Sequence, residues 1–198
     1  MKRLFLFIFS IGFGATSYAA PVDDFLTKLN HSSESITSLR GDFVQKNRLK
    51  LFKQQLTSNG RFQFQRPRML AWEYLSPDAS KLSLNQDRAT LSTPGAAPQV
   101  FDLKSDATMR TIFEQLLGWL TGPQNIDRDY NVTLHGNSLE LLPKPESQVA
   151  RAFQKIVLRF DKTLLLQSIA LTEKNGDQKE ITFVKVERNI QIDPSAFH

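Results

Sequence analysis

The sequence predicts an α+β fold in which many antiparallel strands curl around two or more helices as a half-open barrel. Three observations carry this. Between Ser58 and Pro77 (SNGRFQFQRPRMLAWEYLSP) bulky apolar residues recur at every second position: Phe62 and Phe64, then Leu70, Trp72 and Tyr74. Side chains alternate across a strand, so this spacing gathers them on one side of a sheet and turns Arg61, Gln63 and Glu73 to the other. From Met109 to Leu120 the apolar residues instead follow helical spacing and cover more than one narrow stripe. The C-terminal third returns to strand-like periodicity, punctuated by Gly136-Asn137 and Asn175-Gly176; Asn-Gly is a strong short hairpin signal.

At the N-terminus, Lys2 and Arg3 precede an apolar run from Leu4 to Phe13, and Ser17-Tyr18-Ala19 places small residues where a signal peptidase reads. Residues 1–19 are expected to be an export signal, with the exported chain beginning Ala20-Pro21. The apolar run is too short for a spanning helix, which needs about 20 residues. Residues 20–198 are expected to form one domain. The chain has no cysteine, so no disulfide supports the fold and no cysteine can carry a lipid anchor.

The elements follow in order. Val22, Phe25, Leu26 and Leu29, then Ile36 and Leu39, fall near helical spacing, with Asp23, Asp24, Lys28 and Glu34 opposite them; Ser32 and Ser33 are candidate kink positions. After Gly41 the period changes to two. Strands are expected over Phe43 to Leu51, Arg61 to Gln65 and Met69 to Leu75, the last two separated at Pro67, which cannot donate to a ladder. Further strands are expected at Lys81 to Leu84, Ala89 to Ser92 and Gln99 to Leu103. Ser105 or Asp106 can cap a helix running to Leu120, stopped by Gly122 and Pro123. It carries Met109, Ile112, Phe113, Leu116, Leu117, Trp119 and Leu120, so it sinks into a core or plugs a cavity. The remaining strands are expected at Tyr130 to His135, Ser138 to Leu142, Lys155 to Phe160, Thr163 to Thr172 and Lys179 to Val186.

Charge and motifs exclude several function classes. Without Lys2 and Arg3 the 25 basic residues fall to 23 against 20 acidic ones, a balance of +3 that argues against a nucleic-acid partner. Lys46, Arg48, Lys50 and Lys53 form the one local basic cluster, either a solvated strand face or a patch for anionic headgroups or an acidic partner. His31, His135 and His198 lie far apart, and the chain has neither a nucleophile elbow nor a zinc-binding helix nor a phosphate-cradling glycine loop. No enzyme activity, metal or cofactor is expected.

The phrases Ser38-Leu39-Arg40-Gly41-Asp42-Phe43-Val44-Gln45, Ser58-Asn59-Gly60-Arg61-Phe62 and Leu70-Ala71-Trp72-Glu73-Tyr74, with Asn175-Gly176-Asp177 before Ile181-Thr182-Phe183 and the tail Ile192-Asp193-Pro194-Ser195-Ala196-Phe197, resemble the periplasmic outer-membrane lipoprotein carrier family, LolA. The resemblance spans essentially all of residues 20–198, through short and degenerate motifs. It implies an unclosed, strongly curved antiparallel β-barrel with helices covering or plugging its concave apolar face. It also implies a periplasmic carrier; a monomer is expected, since the cavity mouth of a carrier must be free to face two membranes in turn. Its cargo would be an acylated lipoprotein or another lipid, received from an inner-membrane exporter and passed to an outer-membrane acceptor. The cavity wall would then be Phe43, Phe62, Phe64, Leu70, Trp72 and Tyr74. The lid would be Phe25, Leu26 and Leu29 on the first helix and Ile112, Phe113, Leu116 and Leu117 on the second.

One departure is expected. Carriers of this family have an arginine immediately before the strand tryptophan, bonded to the lid helices, and here that position reads as Ala71. This points to a divergent branch, for which the resemblance also allows an aryl-polyene or glycolipid cargo, or a lipid-sensing role. Against all of these stands an ordinary filled core, since a lid face is a core face that can be displaced.

Overall fold

The computed structural model describes residues 19–51, 54–122 and 126–198. The expected export signal lies outside the described residues except for its last position, and so does Lys53 of the basic cluster.

The first helix, α1 (Ala19–Glu34), leads into β1 (Ser38–Leu49), β2 (Gln54–Gln65), β3 (Met69–Ser76), β4 (Ser80–Asn85), β5 (Arg88–Ser92) and β6 (Gln99–Asp102). Two helices follow, α2 (Ala107–Thr121) and the single turn α3 (Ile126–Asp129). The second set of strands is β7 (Tyr130–His135), β8 (Ser138–Pro143), β9 (Phe153–Phe160), β10 (Leu166–Glu173) and β11 (Gln178–Arg188), and a short 3₁₀ turn, Pro194–Phe197, closes the chain.

The eleven strands described form one antiparallel sheet in the order β6-β5-β4-β3-β2-β1-β11-β10-β9-β8-β7. Each half is a meander of neighbours in sequence, and the first strand joins the last through β1 and β11. The sheet does not close, because β6 and β7 stand at opposite edges. The result is a curved, unclosed barrel, and the chain passes from one edge to the other through α2 and α3.

Local chemistry explains the elements. In α1, Phe25 and Leu29 are buried one turn apart while Asp23, Asp24 and Lys28 are exposed, and Lys28 pairs with Asp24 at 2.6 Å. The serines do not break the helix. Ser33 Oγ donates back to the Asn30 carbonyl at 2.8 Å, a bond that satisfies the hydroxyl within the helix. α2 is capped as the sequence predicts: Asp106 accepts from the Met109 N–H at 2.9 Å, and Gly122 follows at φ 91°.

The structure corrects four boundaries. Leu39 belongs to β1 rather than to the first helix, and the strand begins before Gly41. Gly41 is a close-approach point inside the strand, where a Cβ would stand 3.0 Å from the Phe62 ring. β2 begins at Gln54, seven residues before Arg61. Residues 163–165 belong to a turn rather than to β10: Asp161 accepts from the Thr163 and Leu165 amides, and Leu164 adopts φ 61°. The Asn175-Gly176 connection forms, but only Gly176 has positive φ. Bonds run from the Gly176 N–H to the Glu173 carbonyl and from the Glu173 N–H to the Asp177 carbonyl, so the loop is a three-residue turn with glycine at the left-handed position. Gly136 takes the positive φ at the first place of the β7–β8 turn.

Candidate functional site: a helix-covered aromatic wall

Strand parity builds the wall. In β1 the buried positions Leu39, Gly41, Phe43 and Gln45 face inward while Arg40 and Lys46 face out. The register sets Phe62 opposite Trp72, Phe64 opposite Leu70 and Gly60 opposite Tyr74 across β2 and β3. β11 brings Phe183 opposite Phe43. Five aromatic rings therefore meet on the concave face. Phe43 stacks on Trp72 at 4.2 Å between centroids, with Tyr74 edge-on to Phe43 at 5.3 Å. Phe183 lies edge-on to Phe62 at 5.2 Å and to Trp72 at 6.0 Å. Such offset and edge contacts are the favourable geometries for aromatic pairs.

The six candidate wall residues are thus brought together. Phe64 and Leu70 are fully buried, Phe43, Phe62 and Trp72 nearly so, and Tyr74 is half-buried. Phe183 joins them, although the expected wall does not include it. Its alternation with Ile181 was visible, but only the nonlocal pairing of β11 with β1 places it on this wall.

The wall ends in polar groups. The Tyr74 hydroxyl donates to Gln45 Oε1 at 2.8 Å, and Gln45 Nε2 donates to Asn47 Oδ1 at 2.9 Å. Gln45 is buried, so these bonds offset its desolvation.

Helices pack into the same core as the wall. Phe25 and Leu29 of α1 are buried and Leu26 packs at their side; Phe113 and Leu117 of α2 are buried with Leu116 beside them. Phe25 meets Phe160 of β9 edge-on at 5.9 Å. Ile112 stands on the outer side of α2, 50% exposed, and Trp119 and Leu120 are buried in its place. The helices approach closely at Gly122, where a Cβ would stand 3.0 Å from Ser33 Cβ. Tyr130, at the start of β7, donates to Gln115 of α2 at 2.7 Å; burial first, and the nearby Asp129 carboxylate second, hold its phenol well above the usual range.

The expected departure at position 71 is corrected. Trp72 faces inward, so Ala71 faces outward, where it lies buried beneath Ile192 and Phe197 of the C-terminal segment. The arginine that reaches the helical layer comes from the β2–β3 turn. Arg66 Nε donates to the Ile36 carbonyl at 2.7 Å and Nη2 to the Ser33 carbonyl at 2.9 Å. One planar guanidinium therefore binds the end of α1 and the link that follows it.

Among the described residues, no group of three or more His, Cys, Asp or Glu side chains could hold a metal ion. No described helix is long and apolar enough to cross a membrane.

Residues 34–198 match the family described as outer membrane lipoprotein carrier protein LolA. The chain is 25% identical over 182 residues to an outer-membrane lipoprotein carrier protein of Ralstonia nicotianae, covering 87% of this chain and 81% of that one. It is 26% identical over 194 residues to the protein of the same name in Serratia proteamaculans, covering 94% and 87%. Among solved structures, MucB aligns with a TM-score of 0.54 at 16% identity, over 90% of this chain and 62% of that chain, a likeness of fold. With the family match covering most of its length, the chain belongs to the LolA family of outer membrane lipoprotein carrier proteins.

Proposed function

We propose that residues 20–198 form a periplasmic carrier that shields the acyl chains of a lipoprotein or other lipidated cargo between an inner-membrane exporter and an outer-membrane acceptor. The carrying observation is the way the wall is covered. Phe43, Phe62, Phe64, Leu70 and Trp72, with Tyr74 packed at their edge, share one continuous core with Phe25 and Leu29 of α1 and Phe113 and Leu117 of α2, helices that contribute mainly apolar side chains. A sheet strand held by a ladder cannot leave without breaking many backbone bonds, whereas a helix keeps its own bonds and can swing away intact. Displacing α1 and α2 would expose an apolar trough, and an acyl chain laid in it would recover about 0.8 kcal/mol per buried CH₂. The names of the two curated relatives support the cargo class.

Arg66 supplies the closing bonds. Its two hydrogen bonds to carbonyls near the end of α1 stabilise the covered state without locking it, since each is worth about 1.5–3 kcal/mol. That is comparable with the gain from burying a few methylenes, so an acyl chain can compete with closure.

The test is native mass spectrometry on the protein purified from a periplasm without detergent, with organic extraction of whatever it carries. A bound acylated species, or uptake of a fatty-acyl probe by the apo chain, is the expected result. A chain that emerges apo and stays so in the presence of acyl probes would make the wall an ordinary core and end the carrier reading.

A further inference from the structure

The far end of the β1–β2 ribbon has a different character from the rest of the molecule. β3 pairs with β2 only from Asn59 inward, so among the described residues Gln54 to Ser58 pairs with β1 alone. β11 accompanies β1 only as far as Arg48. The ribbon therefore stands clear of β3 on the β2 side, while on the β1 side only Leu49 lies beyond the ladder and the Lys50 N–H still bonds Asp177 of the β10–β11 turn. Leu51 is 89% exposed and Leu56 50% exposed.

The register places Leu56 opposite Asn47, on the face of the ribbon that continues from Phe43 and Gln45. Lys46 and Arg48 occupy the other face, and exposed Lys50 follows at the turn, its stem over Gly176. The acidic groups nearby are engaged elsewhere: Glu180 pairs with Arg159 at 3.8 Å, Glu173 with Lys179, and Asp177 accepts from the Lys50 main-chain N–H and from Asn175. Lys46, Arg48 and Lys50 form ion pairs with none of the described residues.

We propose that this ribbon end is a docking surface for the anionic headgroups of a lipid bilayer. Exposed Lys50 and Leu51 stand side by side at the turn, with Lys46 and Arg48 behind them on one face and Leu56 on the other, which matches the two layers such a surface offers, phosphates outside and acyl carbon just beneath. Along Gln54 to Ser58 the outer edge of β2 has no strand partner among the described residues, and backbone groups there need water or headgroup partners, so docking is peripheral and the ribbon does not span. The proposal is independent of what the interior holds: loss of acyl-probe uptake would not remove the surface, and loss of docking would leave uptake intact.

The experiment is flotation of the exported chain, its N-terminus checked by mass, with phosphatidylcholine vesicles prepared with and without phosphatidylglycerol. Partitioning should require the anionic lipid and weaken with added salt. Lys46→Gln/Arg48→Gln/Lys50→Gln should weaken it about a hundredfold, from three charges near the surface, and Leu51→Asp should weaken it further. Both variants alter exposed side chains, so circular dichroism and the unfolding midpoint should match the parent. Partitioning equal on both vesicles, absent from both, or unchanged in the triple variant would overturn the proposal. Loss of capture by a purified membrane protein, with flotation unaffected, would reassign the surface to a protein partner.

Discussion

Gly60 lies directly against the ring of Phe43: a Cβ there would stand 2.6 Å from Phe43 Cε1, and closer still to Cζ and to the Glu73 carbonyl oxygen. The glycine is required because the ring crosses over the backbone of β2 to reach Trp72. Gly60→Ala must therefore either tilt Phe43 off its stack or part β2 from β3. Overpacking of this kind costs about 1–3 kcal/mol. The urea midpoint should fall with the slope unchanged, and a parent-like midpoint would show that the ring can move aside freely.

The Arg66 bonds predict a separable effect on the helical layer. Arg66→Ala removes both donors to the Ser33 and Ile36 carbonyls, and Arg66→Lys can restore one point contact but not the fork. Hydrogen exchange in α1 should accelerate in both, more in the alanine variant, while amides of β1 and β11 remain protected. Exchange raised equally in the sheet would mean that the helix and the sheet open together, contrary to a displaceable cover.

The wall was legible in the sequence because its signal is local. Period-two spacing of Phe62, Phe64, Leu70, Trp72 and Tyr74 fixes which side each faces, whatever the strands later pair with. The same parity rule places Ala71 opposite Trp72, so a residue immediately before an inward tryptophan cannot reach helices on the concave side. Arg66 escaped notice because it sits in a turn, where parity assigns no face. Phe183 and Leu39 needed tertiary facts: Phe183 joins the wall through pairing of the first and last strands, and Leu39 continues a helical spacing that β1 overrides once its ladder forms. Gly41 misled in the opposite sense, since a glycine in a strand marks close approach as readily as a break.

Asp161 gives a pH prediction. Partial burial acts to raise its pKa, but the Thr163 hydroxyl, the Leu165 and Thr163 amides and the charge of Arg188 outweigh that and hold it below the usual carboxylate range. The folded value being the lower one, its contribution to stability is complete above the unfolded value of about 3.9 and is lost as pH falls through the folded value. The turn it ties also contacts the cover, since Ser32 Oγ of α1 donates to the Thr163 carbonyl at 3.3 Å. Asp161→Asn keeps an acceptor but removes the titration. Urea midpoints taken from neutrality into the acid range should fall less steeply for the variant. Parallel acid limbs would assign the parent's acid sensitivity to other carboxylates.

Trp72 separates a carrier wall from a filled core. Its indole contacts Phe43, Phe62 and Phe183, and truncating a large buried aromatic costs about 3–5 kcal/mol when the site cannot collapse. Trp72→Ala should therefore lower the unfolding midpoint, but its sharper effect should fall on acyl-probe affinity, because the shortened side chain leaves the trough without its largest contact surface. Trp72→Phe restores most of the apolar area and should recover stability before it recovers affinity. Measured together by urea unfolding and probe titration, the two variants place wall and core on different axes. If affinity and stability fall in proportion in both, the ring acts only through the fold and the covered face is not where cargo lies.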